Sequence, residues 1–135
     1  MKKGLILIAL TLIVWACKKE ITTPNGGIFR GKFEMMGLNG GGFETGNCTL
    51  AIYEKEMIFA LSVDTSATFP LNTSGKFQII DATQMNFEAK QTLPFGYTNP
   101  HVFLDSVYTY TFDDNFFELI KVIDTIEYKY QFIRY

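Results

Sequence analysis

The chain is 135 residues long, with 12 Lys and Arg against 14 Asp and Glu and a formal charge of −2. No stretch gathers the basic residues into a stripe, so nucleic acid is disfavoured as a partner, and a single histidine leaves no two-histidine metal site. Thirteen Phe and seven Tyr are many for this length and favour strands, in a chain that allows one domain but not two.

Lys2 and Lys3 open the chain as a short positive segment, and Gly4 to Trp15 follows as an almost unbroken apolar run. A run of about a dozen residues cannot cross a hydrocarbon core of ~30 Å, which takes roughly 20 as a helix. It fits the apolar region of a secretory leader. Ala16 closes the run, and Cys17 follows at once, ahead of Lys18, Lys19 and Glu20. With its aliphatic Val14 and small Ala16, this ending resembles the lipobox of bacterial lipoproteins. The resemblance implies a signal peptide over residues 1–16 and acyl chains on the thiol and new amine of Cys17. It also implies a place in the cell envelope. A residue other than aspartate after the cysteine implies sorting to the outer membrane, with the leaflet left open. A plain secreted protein whose leader happens to end near a cysteine is the competing reading. Two or three acyl chains, at ~0.8 kcal/mol per buried CH₂, hold a protein on a bilayer almost permanently, whereas one is marginal. Residues 17–27 then form the lipidated N-terminus and a flexible tether, and residues 28–135 the folded domain.

Period-two alternation recurs from Ile28 onward, and no 3.6-residue period competes with it. It predicts strands over 28–36, 47–54, 57–64, 75–81, 84–90, 106–113, 116–123 and 126–135. In the last, Ile126, Tyr128, Tyr130 and Phe132 share one face, with Glu127, Lys129 and Gln131 opposite. Tyr108, Tyr110 and Phe112 likewise oppose threonines, and Phe77 with Ile79, then Met85 with Phe87 and Ala89, behave similarly. One apolar and one polar face mark an antiparallel sheet wetted on one side. Eight such strands lose their exposed edges by closing on themselves. The expected fold is all-β, an eight-stranded antiparallel up-and-down barrel, with a two-sheet β-sandwich as the alternative.

If consecutive strands pair, the tight turns at 54–56, 81–83 and 113–115 fall at one end, as hairpins prefer. The long connections 37–46, 65–74 and 91–105 fall at the other, where only 124–125 is short. The first strand starts at the tight end, so the tether emerges there and the open end faces away from the membrane. The tether-side turns are charged or small, and no apolar side chain is expected to face solvent there. Phe43, Phe69, Phe95, Tyr97 and His101 lie in or beside the long connections, where binding residues tend to be carried.

Gly31-Lys32-Phe33 in the first strand, with Arg134 near the end of the last, is similar to the Gly-x-Trp motif and late basic residue of lipocalin-like (calycin) barrels. Here Phe stands in place of Trp. The resemblance implies that the first and last strands pair and that Arg134 lies over Phe33 as a cation–π contact of ~0.5–2 kcal/mol. Gly31, Phe33 and Arg134 are then the closure residues.

Little in the sequence points to catalysis. His101 lacks a second histidine and there is no Gly-x-Ser-x-Gly context, so a solvated loop histidine is the simpler reading. The glycine-rich 37–42 lacks the Lys-Ser/Thr ending of a phosphate loop. Asp113 and Asp114 read as turn formers rather than calcium ligands. Cys48 shares strand parity with Leu50 and Ile52, which favours a buried, inert thiol over a reactive one. Tyr108, Tyr110, Tyr128 and Tyr130 either line a ligand cavity or fill the barrel as core, since small eight-stranded barrels can be solid.

No enzyme activity, metal or cofactor is expected. The expected function is to bind a small apolar or amphipathic ligand at the open end. The rival is an envelope protein–protein interaction module with a solid barrel. The partners are then the membrane, through the acyl chains on Cys17, and either a small hydrophobic ligand or an envelope protein. Cys17→Ser should abolish incorporation of a palmitate analogue in metabolic labelling, and equal labelling of the variant would refute the anchor.

Overall fold

The alternation becomes eight antiparallel strands in the computed structural model, which describes residues 23–64 and 69–135. They are β1 (Gly27–Gly37), β2 (Gly42–Tyr53), β3 (Ile58–Val63), β4 (Thr73–Ile79), β5 (Gln84–Ala89), β6 (Ser106–Phe112), β7 (Phe116–Ile123) and β8 (Ile126–Arg134). A single 3₁₀ turn, Pro100–Val102, interrupts the connection from β5 to β6. Each strand pairs with the next, and β8 returns to β1 from Phe29↔Arg134 to Gly37↔Ile126, closing an up-and-down barrel. The sandwich alternative fails because the ladder has no edge at which a second sheet begins. The leader, Cys17 and the tether as far as residue 22 lie outside the described residues, as do residues 65–68.

The expected long connection over 37–46 is corrected. β2 begins at Gly42, so the hairpin is only Leu38–Gly41. Gly37 N donates to Gly41 O at 2.7 Å, and Gly40 takes φ +92°, a conformation that glycine adopts without a steric penalty. Residues 42–46 carry two glycines and little alternation, so they show no strand pattern of their own. The adjoining stretch of β1 supplies ladder partners from Met36↔Gly42 to Phe33↔Gly46, with an irregularity at Met35/Met36. Pairing overrides weak local propensity.

At the other end the turns are tight, as expected. Asp113 Oδ1 accepts from the amides of Asn115 and Phe116, and Asp81 Oδ1 from those of Thr83 and Gln84. These are side-chain-stabilised turns, the role expected of Asp113. That end is not free of exposed apolar groups, contrary to expectation. Tyr53 and Ile80, each the last residue before a turn, and Met57, within the β2–β3 turn at φ +53°, are exposed there.

Eight strands enclose a space just wide enough for side chains to fill. Phe29, Phe33, Leu50, Phe59, Met85, Phe87, Tyr108, Phe117, Leu119, Tyr130 and Phe132 are shielded almost completely. Their rings meet edge to face: Phe59 on Phe87 at 5.0 Å, Phe87 on Tyr108 at 5.9 Å, and Tyr108 on Tyr130 at 6.0 Å. Tyr110 and Tyr128 are buried as well, so all four tyrosines pack in the core.

Closure depends on β1 and β8 lying unusually close. A Cβ on Gly31 would stand 1.8 Å from the carbonyl oxygen of Gln131, so only glycine fits at this position. Arg134 is placed differently from expectation. The register sets it opposite Phe29, with its guanidinium 4.7 Å above that ring, while Phe33 faces Tyr130 at 4.8 Å. Phe33 lies four residues further along β1, out of reach. Arg134 also donates to Asp114 O at 2.8 Å, Gly26 O at 3.1 Å and Asn25 Oδ1. The segment ahead of β1 is thereby fastened to the barrel at Asn25 and Gly26. Gly31→Ala should destabilise the fold by about 3 kcal/mol or more, whereas Gly42→Ala, with open space around it, should stay within ~1 kcal/mol. Chemical denaturation of the two variants checks this.

Candidate functional site

The connection from β5 to β6, residues 90–105, folds back across the end of the barrel remote from the tether. Asn99 Oδ1 caps the 3₁₀ turn by accepting from His101 N at 2.9 Å. Beyond the turn Phe103 and Leu104 are buried, and Leu104 joins the core cluster. Thr73 Oγ1 accepts from Leu104 N at 3.4 Å. Asp105 Oδ1 accepts from Ala89 N at 2.9 Å. The loop therefore plugs the end that the loop lengths had left open. Ser106, where the chain re-enters the sheet, takes φ +108°, a conformation that costs a non-glycine residue on the order of 1–3 kcal/mol.

Beneath this loop sits Lys121, which the sequence reading missed. It projects inward from β7, sharing parity with Phe117 and Leu119, and is only 7% exposed. Its Nζ donates to Asp105 O at 3.0 Å and stands 3.4 Å from His101 Nδ1. An ammonium only donates, so Nδ1 is the acceptor and the His101 proton sits on Nε2. The charge also lies 4.6 Å over the Tyr108 ring and 5.6 Å from that of Tyr128. Among the described residues no carboxylate forms an ion pair with it. Burial lowers the ammonium to about 8, against an opposing pull from Asp105. Burial, and then the Lys121 charge, likewise lowers His101, with Asp124 and Asp105 opposing.

Farther in, the hydroxyls of Tyr108 and Tyr130 are fully buried and lie close enough to influence each other's ionisation, with no well-aligned hydrogen bond to either among the described residues. Burial pushes both phenols well up. The Cys48 thiol is raised to about 12 by the same cause, which fits an inert buried cysteine rather than a nucleophile. A cation at the mouth and two buried hydroxyls below it form a polar column in a largely apolar interior. Such a set can donate hydrogen bonds to an acceptor or an anion.

The expected site residues divide. His101 and Tyr128 come together at 5.5 Å between rings, Asn99 Nδ2 donates to the Tyr128 hydroxyl at 3.3 Å, and Tyr108 and Tyr130 lie beneath. Tyr110 points to the opposite end, where its hydroxyl donates to Asp81 O at 3.1 Å. Phe69 and Tyr97 stack edge to face at 6.0 Å, with Phe69 packed against the core. Phe95 is fully exposed and touches none of these groups. Phe43 lies in β2 rather than in a loop, and its side chain is outside the described part. His101 is half-buried against Lys121 rather than solvated. A cleft of about 510 Å³ on the outer wall, between Arg30, Thr49 and Ser62, is separate from this interior. No family model, curated protein or solved structure matches the chain.

Burying the Lys121 charge has a measurable consequence. Between its folded value of about 8 and the ordinary 10.5, the unfolded chain keeps the proton and the folded chain releases it. Raising the pH through that window therefore favours the fold. Wild type should gain stability relative to Lys121→Met between about pH 7.5 and about pH 10 in urea unfolding. Tyrosine ionisation affects both proteins alike and cancels in the difference.

Proposed function

We propose that the chain is a lipid-anchored envelope protein, not an enzyme, that holds a small amphipathic ligand at the loop end of a lipocalin-like barrel. The observation that carries this reading is the Lys121 column: a buried cation whose donors go to a loop carbonyl and a histidine, above two buried hydroxyls that find at most each other. Native interiors rarely leave such groups unsatisfied, and the exceptions call for an occupant or a role. Lifting residues 90–105 removes Phe103 and Leu104 from the mouth and frees Lys121 from Asp105 O. A ligand's polar or anionic head then takes those donors, and its apolar part replaces the plug. The strained Ser106 junction and the exposed Phe95 belong to a loop suited to movement. The lipobox-like ending at Cys17 supports attachment to the envelope, and the leader supports export.

The rival reading, an interaction module with a solid barrel, is favoured by two observations. The interior is packed with aromatic side chains, and Phe95 stands fully in solvent, as a contact for another protein would.

A fluorescent anionic amphiphile such as anilinonaphthalene sulfonate separates the two. Saturable one-to-one binding is expected, weakened about tenfold or more in Lys121→Met, since a hydrogen bond to a charged group is worth ~1.5–3 kcal/mol. Phe95→Ser should leave the melting temperature unchanged. An absence of saturable binding in the wild type would favour the interaction module.

A further inference from the structure

We infer that the outer wall of the barrel at the β1–β8 seam, on the tether side, lies against the headgroup layer of a phospholipid bilayer. Outward-facing residues along β8 run Glu127, Lys129, Gln131 and then change to Ile133 and Tyr135, which are 65% and 77% exposed. On β1 the outward side runs from Lys32 and Arg30 to Ile28, 51% exposed. These groups are neighbours. Ile133 sits across from Arg30 on one side and Phe116 on the other, and Tyr135 N donates to Ile28 O at 2.9 Å. Ile28 faces Ala51, and exposed Tyr53 lies two residues further along β2. At the loop end, by contrast, exposed Met36 and Val122 are separated by Glu127.

The composition of this patch suits the boundary between water and acyl chains. Its aliphatic side chains are joined by tyrosines, which have an apolar body and a polar tip. The guanidinium of Arg30 stacks 3.6 Å over the Tyr135 ring, placing a cation at the patch edge where lipid phosphates lie.

The position of the N-terminal segment commits the patch to a membrane. Arg134 and the Glu54 carboxylate hold Asn25 and Gly26 beside the seam, so the chain leaves the barrel next to Ile28. From Thr23 back to Cys17 is six residue steps, a reach of at most about 20 Å when fully extended. An anchor at Cys17, on which this inference rests, keeps the patch within that distance of the lipid. At such a high effective concentration even weak interfacial affinity holds it down.

Trp15 is the only tryptophan and belongs to the leader, so one introduced tryptophan reports alone in the processed protein. The mature full-length chain carrying Ile133→Trp is reconstituted into phosphatidylethanolamine–phosphatidylglycerol vesicles with and without brominated acyl chains. The control, Val107→Trp, occupies an exposed site near the loop end of β6. The introduced tryptophan at 133 should shift to the blue and be quenched about twofold by the brominated lipid, and the control should not. No quenching at 133, or no more than at 107, overturns the inference. So does a lipid-free Cys17→Ser, Ile133→Trp protein, produced without residues 1–16 and hence without Trp15, that buries its tryptophan by dimerising, which would make the patch an interface with a second copy. Mass spectrometry of Cys17 reads the anchor separately. An acylated chain without quenching refutes the patch and leaves the anchor, whereas an unacylated chain that is quenched on vesicles does the reverse.

Discussion

The close approach of β1 and β8 is the constraint on which the rest of the barrel depends. Seven of the eight strand pairings join neighbours in sequence, several of them through short turns. The eighth must bring together segments about a hundred residues apart, with the corresponding loop-closure entropy against it. Gly31 lets the backbones meet, because any side chain there collides with Gln131 O. Arg134 then ties three other parts of the chain to β8: the Phe29 ring, the β6–β7 turn at Asp114, and the lead-in at Asn25 and Gly26. Its charge is satisfied by carbonyl oxygens and an aromatic face, which suits the planar guanidinium better than a lysine ammonium.

A barrel closed this tightly has a narrow interior, and the narrowness decides what its polar residues can do. Aromatic rings fill the lumen edge to face, so a polar atom inside has few places to find a partner. Tyr110 escapes by reaching the tether-side turn, and Tyr128 meets Asn99 of the covering loop. Tyr108 and Tyr130 lie too deep for either solution. Lys121 stands at the level where the lumen meets the loop, and its ammonium is held by the loop's own backbone. The loop backbone and the buried charge are therefore held by the same contact. Anything that competes for the lysine also competes with the loop.

The two ends of the barrel thus differ in kind. The tether end is stiffened by aspartate-capped turns and the Arg134 clamp, and its outer wall ends in exposed apolar side chains. The loop end carries the longest connection, an outlying Ser106 conformation and the buried cation. The chain enters at one end and the long loop crosses the other, so the exposed apolar wall and the covered mouth are different surfaces.

The sequence by itself determined the all-β class, the number of strands, their up-and-down order and the end from which the chain enters. Each of these follows from period-two alternation and turn chemistry, which are local. Residues 42–46 show the limit of that legibility, since their strand exists only through pairing with β1. The partner of Arg134 was decided by register, and a contact moves four residues along a strand without changing any local pattern. Lys121 was legible in part: its inward parity is written in the order of Phe117, Leu119 and Lys121. What surrounds it is not, because Asp105 and His101 reach it only when a sixteen-residue connection without strand pattern folds over the mouth. The lipobox-like ending at Cys17 is the opposite case, a proposal that rests on a short run of residues and on no feature of the fold. Tertiary structure alone decided that the loop end is covered, that the interior is packed, and that the outward residues of β1, β2, β7 and β8 form one surface. Those are properties of distances between segments remote in the chain, which alternation cannot encode.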